Sequence, residues 1–240
     1  MPKAALVIPC YNEEKRLDDA ELGLLAERRG LQLILVNDGS TDRTAERLQA
    51  FAAKNAPARA LLLERRGGKA EAIRRGFVEA FAAEAEIIGY ADADFSTPAE
   101  EILRLLDETL CRDVRVVLGS RVQLLGSDIR RRVVRHYLGR VFSTGASLAL
   151  GLRVYDTQCG AKFFRATDEL KAAMAVPFAS RWAFDVELID RLLGKGYGAE
   201  DLLEVPLKRW RDVKGSKLTA SAAAAAFLDV AQIGLRRLRR

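Results

Sequence analysis

Residues 86–98 read EIIGYADADFSTP, an apolar run that closes on two carboxylates, Asp92 and Asp94, with one alanine between them. Side chains two apart on an extended chain point the same way, so these two repel unless water or a cation takes up the charge. Hard oxygen donors of this kind suit Mg2+ or Mn2+. A second acidic stretch, FDVELI, carries Asp185 and Glu187, which are candidates for a general base or simply a solvated helix face. Softer metal chemistry has little to work with. Cys10, Cys111 and Cys159 are widely spaced without a CxxC pair, and His136 is the single histidine, a pattern that fits a reducing compartment and argues against zinc.

The elements that must position these acids are legible as alternating strands and helices. AALVI (4–8), LQLILVND (31–38), ARALLL (58–63), EIIGYAD (86–92) and VRVVLGS (114–120) read as strands separated by helical stretches. That order predicts an α/β fold with a mostly parallel sheet flanked by helices. In such sheets ligands bind beyond the carboxyl ends of the strands. The segments there are PCYNEE, NDGSTD, RRGGK, DADFST and GSR, which bring Glu13, Asp38, Asp92 and Asp94 to one edge with Lys69 and Arg121. The first turn lacks GxGxxG and RRGGKA lacks the Walker A spacing, so the usual phosphate cradles are missing. Carboxylates facing a phosphate need a divalent ion between them, which makes DADFST a candidate metal clamp on a diphosphate.

A Gly-Gly turn precedes a helix near 69–84, and Thr97, Pro98 and Glu100 read as the N-cap, first residue and capping acid of the next helix. Beyond residue 120, Ile129, Val133, Tyr137 and Val141 recur at spacing four among Arg130, Arg131, Arg132, Arg135 and Arg140, predicting a basic amphipathic helix over 128–150. YDTQCGAKFFR (155–165) reads as turn-rich, 184–193 as a helix, 202–210 as a strand and 220–235 as a last, alanine-rich helix ending in RRLRR. The division expected is one domain over 1–218 and a C-terminal basic helix over 219–240.

The 240 residues carry 39 Lys and Arg against 33 Asp and Glu, a net charge of +6, which points to an anionic partner. Nucleic acid leaves the acidic strand ends unexplained, and no RNP-type aromatic signature is present. No apolar run reaches the roughly 18 residues of a membrane span and no N-terminal signal is visible, so the chain is expected in the cytoplasm or peripherally on the cytoplasmic face of a membrane.

PCYNEE, VNDGSTD, DAD, GSR, DTQCGAKFF, FDVELI, EVPLKRW and GSK occur in that order. The series resembles the inverting glycosyltransferases of the GT-A fold, most of all the dolichyl-phosphate β-glucosyltransferases and then the dolichol-phosphate mannose synthases. The resemblance implies transfer of a hexose, with glucose first, from a UDP-sugar to a polyprenyl or dolichyl phosphate at an anionic membrane surface. It implies that Pro9, Tyr11, Glu13 and Asp38 hold the uridine, that Asp92 and Asp94 form the metal-binding pair, and that Lys69 and Gln158 also serve the donor. Arg121, Arg135, Lys162 and Lys217 would face the acceptor phosphate, Asp94, Arg121 and Asp185 being the candidate catalytic residues. The turn of the family written Asn-x-Gly-Lys-Gly appears here as Arg66, Gly67, Gly68, Lys69, Ala70. Competing readings are a phosphatase with Asp92 as nucleophile and Asp94 as acid, a transferase with a hydroxyl acceptor, and a basic membrane-binding module.

Overall fold

The computed structural model describes residues 3–130, 133–213 and 220–238, the side chains of 133–136, 220–224 and 238 excepted. Four apolar runs form the strands that the sequence predicts: β1 (Ala4–Cys10), β2 (Leu31–Asp38), β3 (Ala58–Leu63) and β4 (Ile87–Ala91). Between them lie α1 (Asp19–Ala26), α2 (Thr44–Lys54) and α3 (Lys69–Ala82), followed by α4 (Ala99–Cys111) and β5 (Val116–Ser120). The second half adds β6 (Asp128–Arg130), α5 (Val133–Leu150), β7 (Ala161–Arg165), α6 (Asp168–Ala175), α7 (Phe184–Leu193), β8 (Leu202–Pro206), β9 (Arg209–Arg211) and α8 (Ala220–Leu238).

Seven strands make one sheet in the order β3-β2-β1-β4-β7-β5-β8, parallel except for β7. Strand alternation sends Ala5, Val7, Ile34 and Val36 to a core shared with α3, α5, α6, α7 and α8, while Leu6, Ile8, Leu33 and Leu35 face α1, α2 and α4. Helix α3 packs tightly on β1, since a Cβ at Gly76 would fall 2.3 Å from Val7 Cγ1. That closeness fixes where the first residue of α3, Lys69, projects.

Four local expectations are corrected. AKFFR, read as part of a turn-rich stretch, is the antiparallel strand β7, wedged between β4 and β5. The 128–150 segment opens as a short strand, so Ile129 and Arg130 belong to β6, which pairs in parallel with β9 as a separate ribbon. The 202–210 run is likewise split into β8 and β9. Pro98, not Thr97, sits at the N-cap of α4 and makes no side-chain cap. The amide of Ala99 is met instead by the Glu21 carboxylate of α1 at 2.6 Å, an acid from another helix at the positive end of α4.

Candidate active site

The loops after β1 and β2 are tied to each other. Asn12, at φ 51°, accepts from the Thr41 amide at 2.8 Å, its own amide donates to Ser40 Oγ at 3.0 Å, and the Glu13 amide donates to Thr44 Oγ1 at 2.8 Å. Pro9 lies beside Val36 in the ladder, and buried Glu13 pairs with Arg16 at 2.6 Å. Asp38, 2% exposed, accepts from the amides of Gly67 at 2.6 Å and Gly68 at 2.8 Å, one on each oxygen. A carboxylate buried there thus holds the loop after β3 against the end of β2. Arg66 on that loop lays its guanidinium 4.0 Å from the centroid of the half-buried Tyr11 ring.

Asp92 is the first residue beyond β4, and its amide donates to Gly160 O at 3.0 Å. A Cβ on Gly160 would fall 2.1 Å from Asp92 Oδ2, so the glycine of DTQCG makes room for the carboxylate of DAD. Lys69 Nζ lies 2.5 Å from Asp92 Oδ1. Partial loss of water works against the half-exposed ammonium, but Asp92, Asp185 and Asp94 outweigh it and hold its pKa above the ordinary lysine value. Asp94 turns one oxygen to the Ser96 amide at 3.1 Å, across Phe95 at φ 48°. Among the described residues no three His, Cys, Asp or Glu gather into a group that could hold a metal ion. Asp92 and Asp94 by themselves supply fewer oxygens than the roughly six that a hard cation takes.

Behind this rim sits a buried pair. Lys162, 1% exposed, donates to Asp185 at 2.7 Å and also to the Cys159 carbonyl, while the Tyr90 hydroxyl donates to the same Asp185 oxygen. Burial and then Asp185 push the Tyr90 phenol well above its ordinary range, and burial pushes the Cys159 thiol up to about 11. The solvated reading of Asp185 and Glu187 is overturned, because both are buried. Glu187 holds the amides of Ala179 and Ser180 and pairs with Arg191 at 2.7 Å, which is a structural post.

Arg121 grips Asp156 through Nε at 2.6 Å and Nη2 at 2.8 Å, with its guanidinium 5.4 Å from the Trp210 ring. Burial disfavours its charge, yet Asp156, helped by Cys159 and Asp92, raises its pKa above the usual arginine value. Glu204 on β8, absent from the expected site, takes the amides of Tyr155 at 2.8 Å and Asp156 at 2.6 Å and so sets the whole DTQCG loop. Its signal was the acid inside EVPLKRW, an ionisable group in an apolar strand. The Gln158 amide donates to Asp156 at 3.1 Å, and its side-chain Nε2 is buried with no hydrogen-bond partner.

The strand ends thus gather Lys69, Asp92, Asp94 and Arg121 into a rim with Asp185 beneath, Lys69 feeling Asp92, Asp94 and Asp185 and Arg121 feeling Asp92, while Asp38 is buried under the loop that carries Gly67 and Gly68. Lys162, expected to meet a phosphate, is instead enclosed and already neutralised by Asp185. The Arg135 side chain and Lys217 lie outside the described residues. A rim of alternating charge can seat a polyanion bridged by a cation, and it offers ammonium and guanidinium groups to a departing phosphate.

Comparison with known proteins agrees with this geometry. The family model described as Glycosyl transferase family 2 matches residues 5–192. A dolichyl-phosphate β-glucosyltransferase of Trichomonas vaginalis is 30% identical, the match covering 95% of this chain and 70% of that protein. The dolichyl-phosphate β-glucosyltransferase of Drosophila melanogaster is 32% identical over 90% of this chain and 69% of its own, and that of Saccharomyces cerevisiae 31% identical over 89% and 68%. Among solved structures, glucosyl-3-phosphoglycerate synthase of Mycobacterium tuberculosis, in complex with Mn2+, UDP-glucose and phosphoglyceric acid, superposes with a TM-score of 0.69 at 20% identity, over 98% of this chain and 79% of that one. TarS of S. aureus superposes at 0.54 with 17% identity, over 79% and 55%.

Proposed function

The chain belongs to glycosyl transferase family 2 and is a glycosyltransferase of the GT-A fold, and from that premise we propose that it moves glucose from UDP-glucose to a polyprenyl or dolichyl phosphate with inversion. The observation that carries this reading is the Asp92 carboxylate, held between Lys69 and the space left by Gly160, with Asp94 beside it at the end of β4. Its support is the set of relatives named for transfer to dolichyl phosphate.

In this reading Tyr11 backs the uracil, and Glu13 with Pro9 borders the nucleoside. Asp92 and Asp94 would hold Mg2+ or Mn2+ together with the donor, and the ion when bound would neutralise charge on the departing diphosphate. Lys69 shares that task from the protein side, since its ammonium stays charged beside Asp92. Arg121 keeps its charge while Asp156 fixes its direction, which suits it to orient an anionic acceptor for in-line attack on C1. A phosphate nucleophile is already ionised near neutral pH and needs no base. Asp185 favours that acceptor over a hydroxyl, because one of its oxygens already accepts from both Tyr90 and Lys162.

The test is calorimetry with UDP, GDP and UDP-glucose, with and without Mn2+, followed by turnover with a short soluble polyprenyl phosphate. Expected are binding of UDP over GDP, strengthened by Mn2+, and a glucosyl phosphodiester product. Full turnover in chelator overturns the metal assignment, and a preference for GDP overturns the donor.

A further inference from the structure

The loop between β3 and α3 departs from the family turn at Arg66, and the structure gives that arginine a defined place. Its backbone is pinned on two sides. Asp38 accepts from the next two amides, Gly67 and Gly68, at 2.6 Å and 2.8 Å. Gly39, at φ +62°, packs beneath it, since a Cβ there would fall 2.7 Å from Arg66 N and 2.9 Å from Arg65 C. A side chain leaving so fixed a backbone is preorganised, and the Arg66 guanidinium lies over the Tyr11 ring with 4.0 Å between its carbon and the ring centroid.

That distance is one stacking layer. An aromatic base stacked between the two would need them about 7 Å apart, because each stacked layer takes about half of that. A base that stacks on this face of Tyr11 must displace the guanidinium. Arg66 is also a permanent cation three residues before Lys69, whose ammonium rests on Asp92.

We propose that Arg66 is a donor-binding residue that covers the Tyr11 base platform in the free protein, yields it to the base of a nucleoside diphosphate, and then pairs with that ligand's phosphates. This rests on the donor reading above. It makes the base platform responsive to the phosphates: a nucleoside alone must displace the guanidinium without compensation, whereas a nucleoside diphosphate gives the displaced cation a partner.

The two ligands should therefore respond to Arg66→Ala in opposite directions, which a purely structural arginine would not produce. In calorimetry with Mn2+ present, Arg66→Ala is expected to bind uridine about threefold more tightly than wild type, the competing cation–π contact being gone. It is expected to bind UDP about tenfold more weakly, a charge-assisted contact being lost. Arg66→Lys should recover part of the UDP affinity, since it keeps the charge. Because the side chain is exposed, thermal melts of both variants should match wild type. Unchanged or weaker uridine binding by Arg66→Ala overturns the competition, and unchanged UDP binding overturns the phosphate contact. Wild-type protein that binds neither UDP nor GDP overturns the donor reading itself and this inference with it.

Discussion

Asp92, at the end of β4, has contacts from two segments far away in sequence: Lys69 on one oxygen and the Gly160 backbone against the other. The glycine carries no side chain of its own, so its replacement acts through Asp92. In Gly160→Ala the new methyl must push the carboxylate aside, which also breaks its alignment with Lys69. The fold should tolerate this, with a stability loss of about 1–3 kcal/mol for overpacking. Turnover should fall about a hundredfold, the order expected when a reacting group is displaced by about 1 Å. Glucosyl transfer within threefold of wild type, in a variant with a normal melt, would show that the Asp92 position does not matter. Asp185 is the opposite case, a residue whose removal strains the fold more than the chemistry. Asp185→Asn leaves the Lys162 ammonium buried without its counter-charge, so a loss of about 3 kcal/mol, or about 6–12 °C in Tm, is expected. Activity of the folded variant toward a polyprenyl phosphate should stay within about tenfold, whereas loss of a true general base would cost about 100-fold or more. Assays below the variant's own Tm separate the two. The site was legible in the sequence where charge sat at strand ends: Lys69, Asp92, Asp94 and Arg121 fall on the rim, with Asp38 buried beneath the neighbouring loop. It was not legible where charge turned inward. The resemblance puts Lys162 at the acceptor phosphate, and only the fold shows it enclosed beside Asp185.

At the scale of elements, the first five strands follow from apolar runs alone; β1, β2, β4 and β5 are buried on both faces and need little else, while β3 is the half-exposed edge of the sheet. Strand β7 escaped because it is five residues long, holds a lysine at its second position and follows a turn. Its place between β4 and β5 depends on long-range pairing, which local pattern does not encode. The start of α4 shows the same limit. Thr97 looks like a cap by composition, yet the helix begins one residue later and borrows Glu21 from α1. Glu21→Ala should thus cost stability at a distance in sequence: about 1 kcal/mol for the lost cap, or about 2–4 °C in Tm. Glu21→Gln should recover part of it, since the amide oxygen still accepts. A Glu21→Ala melt identical to wild type would mean that the carboxylate contributes nothing to α4. The loop with Asp92 and Asp94 leads directly into this helix, so donor affinity should weaken along with the melt.

Among the described residues, two neighbouring helices of the molecule each leave a run of apolar groups uncovered. Helices α5 and α8 bury Phe142, Ala146, Leu150, Ala226, Val230 and Ile233 in the core shared with α7. Their opposite faces expose Tyr137, Val141 and Leu148 on α5 and Leu228 and Leu235 on α8, Leu148 being 79% exposed. No helix among the described residues is long and apolar enough to cross a membrane. An outward apolar stripe next to Arg236 in the last turn of α8, on a chain of net charge +6, fits attachment to the surface of an anionic bilayer, where a lipid phosphate would be met, whereas Arg237 turns inward to Asp190 of α7. Each basic residue close to such a surface contributes about 1 kcal/mol, and salt screens it within about 8–10 Å. Binding to vesicles containing phosphatidylserine should therefore be reversible and should weaken as ionic strength rises. Leu148→Glu with Leu228→Glu removes apolar contact and adds repulsion, and should reduce vesicle binding at least tenfold while sparing turnover of a short, soluble acceptor. Both residues are largely exposed, so the fold should not register the change. Sedimentation with vesicles at low and high salt reads the first effect, and soluble-substrate kinetics the second. Equal binding of the double variant and wild type to anionic vesicles would remove α5 and α8 from the membrane contact; a matching loss of soluble turnover would mean that the two faces serve the catalytic domain instead.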